Sequence, residues 1–482
     1  MLLTENRNSS YILIILSFIF FCLVVYRAQI LSMTHDEAGT YMFFYDVNFL
    51  SFFTDSSTWR SANNHLLNTL AYKLTIAIAG HSDFNIRIGN VLSFALYLVS
   101  IFFIGKDVFK YNGSRILLFT LLVANPYVID FFSLSRGYGM SIAFLMFAYW
   151  QFWKFFDSEK LINFMFGFLA LGFSTFAIMS NLIFIPSIAL SIWIVIFLNY
   201  RRYKLEVPRY IFYIPIISFL VIIGILYIPL TALSGLDEFR FGTRSISRPF
   251  TSLIANSLRH RLYLGSASYF VFAALFFITL FASLYSGIKR FVREENKYNN
   301  FNVFLVISFI SLMLALLAAY LILGSRFPVD RKSIMFVPLL GLLFTMCLDR
   351  SYKIKKTNLI GLVTSFLLMA HFVNALDIEK TREWWYDAYT EKMMDVIVSD
   401  AGSKKVVVGS HWFYNPVLNY YRHTKNLEYI EISRYNKKIE ADKTYDYFVI
   451  MVGDEYKTIK DKYDNLYKTK SGILVLKKKK SE

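Results

Sequence analysis

His35, Asp36 and Glu37 form a short acidic group directly after a long apolar run that begins at Tyr11. Two neighbouring carboxyl groups repel each other, and with partial burial this raises the pKa of one of them toward the range of a general base. Carboxylates so near an apolar run are costly unless they have a role or a partner. A solvated loop would contain the same residue types, so these residues alone leave both interpretations open.

Arg60, Asn64 and His65 form a second polar group, ahead of the apolar segment 66–80. With His35, they are expected to orient a hydroxyl-bearing substrate, although Asn64 could instead cap a helix that begins after it. A divalent metal bound by His65 and the acidic group is possible. No spacing typical of metal ligands is present, so we expect no metal.

Arg136 and Tyr138 lie in a short turn, residues 133–139, between two apolar runs. An arginine flanked by small residues can bring its guanidinium group close to an anion. Asp130 lies within two helical turns of Arg136, and we interpret it as a further substrate contact.

Arg326, Arg331 and Lys332 crowd a third short connection between apolar runs. Residues 234–264 add five more arginines, Arg240, Arg244, Arg248, Arg259 and Arg261. Any one of these cations could contact a lipid headgroup. Together they indicate an anionic ligand, and a lipid phosphate fits them.

The composition defines the class of protein that must position these residues. The chain has 482 residues, of which 56% are hydrophobic and 18% charged, and its mean hydropathy is +0.44. This composition excludes a single soluble core and a disordered chain. The net charge of +17 comes largely from short loops between apolar runs, so it indicates membrane topology rather than nucleic acid.

The apolar runs predict an α-helical polytopic membrane protein with about 11 spans, each near the 20 residues that cross a bilayer. The predicted spans are residues 11–31, 88–105, 115–132, 138–155, two short helices within 161–199, 210–233, 265–286, 303–323, 334–348 and 357–376. Residues 1–376 would thus form a transmembrane domain.

The basic loops near 106–115, 201–209, 289–297 and 350–356 predict the orientation. If these loops are cytoplasmic, the N-terminus is inside and residues 32–87 form a first external loop. Residues 66–80 are short for a span, so we interpret them as an interfacial or re-entrant helix within that loop.

After Asp377 the composition changes to alternating apolar and polar residues with helix-like segments between them. This pattern predicts a small external α/β domain over residues 377–482. The chain contains no nucleotide-binding glycine loop and no Gly-x-Ser-x-Gly turn. Its spans contain few charges, which argues against an ion-coupled transporter.

Four fragments, taken in order, resemble a known family over the stretch from Thr34 to about Pro338. The fragments are His35-Asp36-Glu37-Ala38, residues 80–87, Ser135-Arg136-Gly137-Tyr138 and residues 331–338. In order and placement they resemble the clan C integral-membrane glycosyltransferases that use dolichyl- or polyprenyl-phosphate sugars. The most similar branch holds the protein O-mannosyltransferases and the bacterial lipid A aminoarabinose transferase.

The resemblance implies a glycosyltransferase in the cell (inner) membrane, with its active site and C-terminal domain on the periplasmic side. Asp36, beside Glu37, would be the catalytic base of an inverting displacement. Arg331 and Arg326, with Lys332 and Arg136, would bind the phosphate of the polyprenyl-phosphate donor. No cofactor is implied, although oligosaccharyltransferase relatives use a divalent ion.

The sequence departs from this family in two places. The aminoarabinose branch has an acidic residue in the second external turn, where this chain has Arg136 and only the nearby Asp130. Residues 63–65 are Asn-Asn-His, where relatives often have a Lys-Pro or His-Pro pair. The sugar (hexose or pentose) and the acceptor (glycolipid, polysaccharide or protein) therefore stay open. A flippase of lipid-linked glycans and an inactive scaffold are the alternatives.

Overall fold

The structure is a computed structural model that describes residues 2–203, 207–236, 241–259, 265–293, 297–351, 354–436 and 443–479. Arg240, Arg261 and the segments 204–206, 294–296 and 352–353 of the predicted basic loops lie outside the described residues.

Helices make up most of the first 376 residues. They are α1 (Leu2–Ile30), α2 (His35–Phe44), α3 (Ser51–Thr54), α4 (Leu66–Ala79), α5 (Asp83–Val108), α6 (Asn112–Val123), α7 (Pro126–Phe132), α8 (Gly137–Ser158), α9 (Leu161–Ala177), α10 (Phe184–Tyr203), α11 (Tyr210–Gly235), α12 (Arg248–Leu258), α13 (Ser266–Arg293), α14 (Lys297–Leu323), α15 (Val337–Ser351) and α16 (Ile354–Ala375).

Several of these helices have the length and surface of membrane spans. Within the described ranges, eight helical segments are long and apolar enough to cross a membrane, and α6 with α7, bent by 61°, would be a ninth. Large apolar side chains on α13 and α16 are exposed, for example Phe281 (66%) and Phe366 (73%). Such contiguous apolar surface marks contact with lipid. The protein is a multi-pass membrane protein.

The predicted spans all fall in helices, but two of them differ from a simple span. Helix α8 contains Gln151 and Lys154 in its second half, and α9 has only 17 residues. Neither is among the helices that qualify by length and composition. The predicted count of about 11 therefore exceeds the eight or nine spans that these criteria support. Helix α4 has 14 residues, shorter than a span, where an interfacial or re-entrant helix was predicted.

Glycine allows two of the helices to approach closely. A Cβ atom on Gly361 of α16 would lie 2.5 Å from the backbone oxygen of Gly113 in α6. Small residues at such crossings let the backbones of membrane helices pack against each other.

The chain forms two compact units. The helical unit contains Met1–Val25, Asn48–Ala71 and Ile88–Leu376, and the mixed unit contains Tyr26–Val47, Tyr72–Arg87 and Asp377–Glu482. The mixed unit begins its C-terminal part at Asp377, where the sequence predicted a domain boundary. It also takes in two segments that the prediction assigned to the transmembrane domain.

A mixed sheet of five strands lies in the mixed unit. The strands are β1 (Val406–Ser410), β2 (Ile430–Ile432), β3 (Tyr447–Met451), β4 (Tyr463–Lys468) and β5 (Ile473–Lys478), and their order is β2-β1-β3-β5-β4. Strand β1 is parallel to β2 and β3, whereas β5 is antiparallel to β3 and β4. The helices are α17 (Thr390–Ala401), α18 (Asn415–Thr424) and α19 (Asp454–Lys457).

The core of the mixed unit joins residues far apart in sequence. Val408 and Val449 of the sheet pack in one cluster with Tyr41 of α2 and Tyr72 of α4. The Tyr41 ring lies edge-on to Tyr420 of α18, with centroids 5.2 Å apart. This packing fixes α2, which contains the predicted catalytic residues, against the C-terminal residues.

Candidate functional site

The predicted catalytic residues lie in the first turn of α2. Thr34 is the N-cap: its hydroxyl accepts a hydrogen bond from the Glu37 backbone N–H (3.3 Å), and the Glu37 carboxylate accepts one from the Thr34 N–H (3.0 Å). This reciprocal capping box determines where α2 begins. Asp36 therefore lies at the second position of the helix, 7% exposed, where the helix dipole stabilises a negative charge.

Glu37 forms a fully buried ion pair with Arg87. The Arg87 Nε and Nη2 atoms each donate to a different Glu37 carboxylate oxygen at 2.9 Å, and neither side chain is exposed. The same guanidinium group donates to the backbone oxygens of Ala28 (3.0 Å), Leu31 (2.6 Å) and Ser32 (3.0 Å). Arg87 thereby joins the end of α1 to the beginning of α2. Its bonds suit Glu37 to positioning rather than to proton transfer.

Asp387 is a third buried carboxyl group at the start of α2, and no motif in the sequence marks it as a site residue. Its Oδ2 accepts a hydrogen bond from the His35 backbone N–H at 2.6 Å, while its Oδ1 is buried without a hydrogen-bond partner. Burial, together with the negative charges of Asp36 and Glu37, raises the pKa of Asp387 well above its ordinary value, and the bond from His35 only partly opposes this. These surroundings favour the protonated form of Asp387 more than water does.

The arrangement gives the acidic groups different roles. Glu37 is ion-paired with Arg87, whereas the surroundings of Asp387 raise the pKa of its carboxyl group. Asp36 lies in the same helical turn as Glu37, at the second position of α2.

His65 lies within a group of cations in the helical unit. Its side chain is buried, and this burial, with the positive charges of Arg136, Arg331 and Lys332, holds the pKa of the imidazole well below its ordinary value. The neutral ring packs edge-on against Tyr138, with centroids 5.1 Å apart. The structure brings five of the predicted residues together. We call them the cationic group, after its three charged members; they are His65, Arg136, Tyr138, Arg331 and Lys332.

Arg136 is held in place by Asn63, and the residue after it lies at a close approach of two backbones. Its Nη1 donates to the backbone oxygen of Asn63 (3.2 Å) and its Nη2 to the Asn63 side-chain oxygen (3.3 Å). The next residue is Gly137, where a Cβ atom would lie 2.1 Å from the Ala177 backbone oxygen. Only glycine fits at this position, so Gly137 allows α8 to begin beside the end of α9.

Asn64 is fully buried beside the cationic group. Its side-chain oxygen accepts a hydrogen bond from the Thr69 hydroxyl (2.7 Å), and its amide nitrogen is buried without a hydrogen-bond partner. This bond joins Asn64 to α4 through a side chain, and it is not the bond to a backbone N–H that caps a helix.

The segment that contains Arg331 and Lys332 is anchored by α12. The Asp330 backbone N–H donates to the Ser252 hydroxyl (3.0 Å), and its side chain accepts from the amide of Asn256 (3.2 Å). Asp330 has a positive φ of 51°, which turns the chain into the short 3₁₀ helix Asp330–Phe336. Both following cations are half-buried, and Lys332 donates to the Phe241 backbone oxygen at 3.2 Å.

Asp130 is paired with an arginine from α12. Its carboxylate accepts a hydrogen bond from Arg259, which also donates to the Pro126 backbone oxygen at 3.3 Å. Both charged side chains are buried. Asp130 therefore has a buried counter-ion, and the residue pattern of 234–264 does not indicate which of its five arginines is that partner.

The remaining predicted residues are dispersed. Arg60 and Arg326 are exposed. His35 lies in the mixed unit, where its Nδ1 is 2.8 Å from the Phe413 backbone oxygen. No group of three histidine, cysteine or acidic side chains able to hold a metal ion occurs in the described part of the chain.

Comparisons with known proteins identify the fold. No protein-family model matches the sequence, and no curated protein matches it. The structure is similar to crystal structures of ArnT from Cupriavidus metallidurans. The apo form gives a TM-score of 0.53 at 11% identity over 96% of this chain and 97% of that one. The form bound to undecaprenyl phosphate gives 0.52 at 10% identity over 97% of each.

A weaker likeness, with a TM-score of 0.32 at 12% identity, is to the arabinosyltransferase EmbB from Mycobacterium smegmatis, over 81% of this chain and 43% of that one. The match to ArnT confirms the predicted fold: an ArnT-like helical membrane protein with a small C-terminal sheet.

Proposed function

We propose that this protein transfers a sugar from a polyprenyl-phosphate donor to an acceptor hydroxyl. The observation that carries the proposal is the first turn of α2, where Asp36 lies buried at the second helical position, beside the ion pair of Glu37 with Arg87 and close to the carboxyl group of Asp387. The ArnT-like fold supports the donor class, because the ArnT structure was obtained bound to undecaprenyl phosphate.

The chemistry is a single inverting displacement. The acceptor oxygen attacks the anomeric carbon, the bond from that carbon to the phosphate oxygen breaks, and the acceptor proton passes to Asp36. A positioned carboxylate base of this kind contributes roughly 10²–10⁴-fold to a rate. Glu37 and Arg87 act by holding the turn that contains Asp36.

The cationic group binds the donor phosphate in this proposal. Arg331 and Lys332 stabilise the negative charge that grows on the phosphate as it leaves. Arg136, buried against Asn63, reinforces the positive field, and neutral His65 adds a hydrogen-bonding group. Guanidinium and ammonium groups can carry this charge without a metal.

We place the protein in the inner membrane, with the N-terminus in the cytoplasm and residues 377–482 on the periplasmic side. The basic loops support this orientation. The acceptor is a glycolipid, polysaccharide or protein, and the sugar a hexose or pentose. Arg60, Arg326, Asn64, Tyr138 and Asp130 remain predicted substrate contacts.

The test is turnover of a panel of labelled polyprenyl-phosphate hexoses and pentoses by the purified protein in lipid. Wild type should release polyprenyl phosphate from at least one donor. Arg331→Gln should raise the KM for that donor at least tenfold, because a phosphate contact is lost. Lys160→Gln, which removes an exposed cation between α8 and α9, is the matched control and should leave the KM unchanged.

A lipid-linked glycan flippase would bind and move the same donors without cleaving them. Donor binding that depends on Arg331, together with no release of polyprenyl phosphate from any donor, would contradict the transferase proposal and favour that alternative.

A further inference from the structure

The carboxyl ends of the parallel strands in the mixed unit meet at one edge of the sheet. The chain runs from β1 to β2 on one side, whereas β3 lies on the other side of β1. The end of β1 is therefore a point where the strand order reverses. In open α/β sheets, ligands bind in the crevice outside such a point.

Aromatic side chains occupy this edge. His411, Trp412 and Phe413 follow β1 directly, and Tyr435 comes three residues after β2. The Trp412 ring lies 4.0 Å from Phe413 and 6.0 Å from Tyr435, measured between centroids. Residues 411–413 are half-buried and Tyr435 is 49% exposed, so ring surface remains accessible. We call residues 411–413 with Tyr435 the aromatic edge.

The aromatic edge adjoins the helix turn that contains Asp36. The His35 ring contacts Trp412 edge-on, with centroids 5.7 Å apart, and its Nδ1 lies 2.8 Å from the Phe413 backbone oxygen. Because His35 and Asp36 are the first two residues of α2, the aromatic edge contacts the helix turn that contains the proposed base.

Polar atoms without partners lie at the same place. Tyr414 Oη and Asp387 Oδ1 are buried without a hydrogen-bond partner, and both side chains are at most 1% exposed. His35 connects the two residues, because its backbone N–H donates to Asp387 and its Nδ1 lies 2.8 Å from the backbone oxygen of Phe413, the residue before Tyr414. Buried polar atoms normally have partners, and these two indicate a hydroxyl-bearing ligand.

The local charge and backbone decide which ligand fits. The carboxyl groups of Asp36, Glu37 and Asp387 disfavour an anion, and residues 410–414 contain no glycine that would let the backbone enclose a phosphate. Aromatic faces with carboxyl and hydroxyl groups at their border suit a neutral sugar ring, which offers C–H faces for packing and hydroxyls for hydrogen bonds.

We propose that the aromatic edge is the acceptor subsite and binds a neutral sugar ring, which presents its hydroxyl to Asp36. This inference rests on the proposed glycosyl transfer, and it makes the acceptor a carbohydrate rather than a protein hydroxyl.

The experiment is saturation-transfer NMR of the full chain in lipid nanodiscs with a mixture of methyl hexosides and methyl pentosides. At least one glycoside should receive saturation from wild type. Trp412→Ala should reduce that signal at least fivefold, and Trp412→Phe, which keeps an aromatic face, should restore most of it. Tyr467→Leu, on β4 at the far side of the sheet from β2, removes an aromatic ring but keeps an apolar side chain against the core; it is the matched control and should behave as wild type.

The same preparations are assayed for release of polyprenyl phosphate, so that two failures can be told apart. Sugar binding that depends on Trp412 without donor cleavage would support the subsite and refute the transfer reaction. Donor cleavage by wild type with no saturation of any glycoside, or with equal saturation in Trp412→Ala, would refute the subsite and leave the transfer reaction standing.

Discussion

The buried pair between Arg87 and Glu37 yields the most quantitative prediction. Replacing Arg87 with Met keeps the length and apolar stem of the side chain but removes the guanidinium group. The Glu37 carboxylate then stays fully buried without its counter-ion, and three backbone oxygens at the end of α1 lose their donor.

Removing one partner of a buried ion pair costs about 3–5 kcal/mol. The lost bonds to backbone oxygens add to this, since an unsatisfied buried acceptor costs about 1–3 kcal/mol. Arg87→Met should therefore destabilise the protein by about 4 kcal/mol or more. Glu37→Leu should cost a similar amount, because it leaves the guanidinium charge buried. The double variant should cost less than the two single changes together, by about 2 kcal/mol.

The free energies of unfolding can be measured by SDS titration of the purified protein in mixed micelles, followed by circular dichroism. Lys73→Met, which removes a half-buried cation bonded to the Val47 backbone oxygen elsewhere in the mixed unit, is the matched control. Strict additivity of the two single changes would refute the ion pair. A loss below about 1 kcal/mol for Arg87→Met would refute the claim that this guanidinium holds the start of α2.

Three further predictions concern pH and packing. Because the pKa of Asp387 is higher in the folded protein than in the unfolded chain, stability should fall as pH rises from about 4, and Asp387→Asn should show a smaller fall in thermal unfolding. Because the pKa of His65 is lower in the folded protein, stability should fall as pH drops through about 6.5, and an unchanged pH dependence in His65→Gln would contradict this. Gly137→Ala should destabilise by at least about 2 kcal/mol against the Ala177 backbone, whereas Gly39→Ala, with no atom within 4 Å, should be neutral or stabilising.

The helical architecture is largely predictable from the chain. Apolar runs of about 20 residues determine the helices because a membrane span must satisfy its backbone internally. The count of spans was less certain, since α8 mixes polar with aromatic residues and α9 is short. Length and composition alone do not decide how such helices cross a bilayer.

The composition of the mixed unit was not predictable. Its core joins Tyr41 to Tyr420, and nothing in the local pattern of either segment indicates a partner so far along the chain. The sequence therefore supported a domain confined to residues 377–482, whereas residues 26–47 and 72–87 pack with it.

The candidate site was predictable where local sequence decides the geometry. The spacing of Thr34 and Glu37 is that of a capping box, which places Asp36 in the first turn of a helix. The partners of these acids were not predictable. Arg87 lies 50 residues from Glu37 and Asp387 lies 352 residues from His35, so only the fold brings each pair together.

The central claim is that Asp36 is the base of a sugar transfer, and donor turnover by Asp36→Asn tests it most directly. Asp46→Asn, which changes an exposed acid after α2, serves as the matched control. We expect wild type and Asp46→Asn to release polyprenyl phosphate at similar rates, while Asp36→Asn binds the donor but turns it over at least 100-fold more slowly. Equal turnover by Asp36→Asn and wild type would show that Asp36 is not the base.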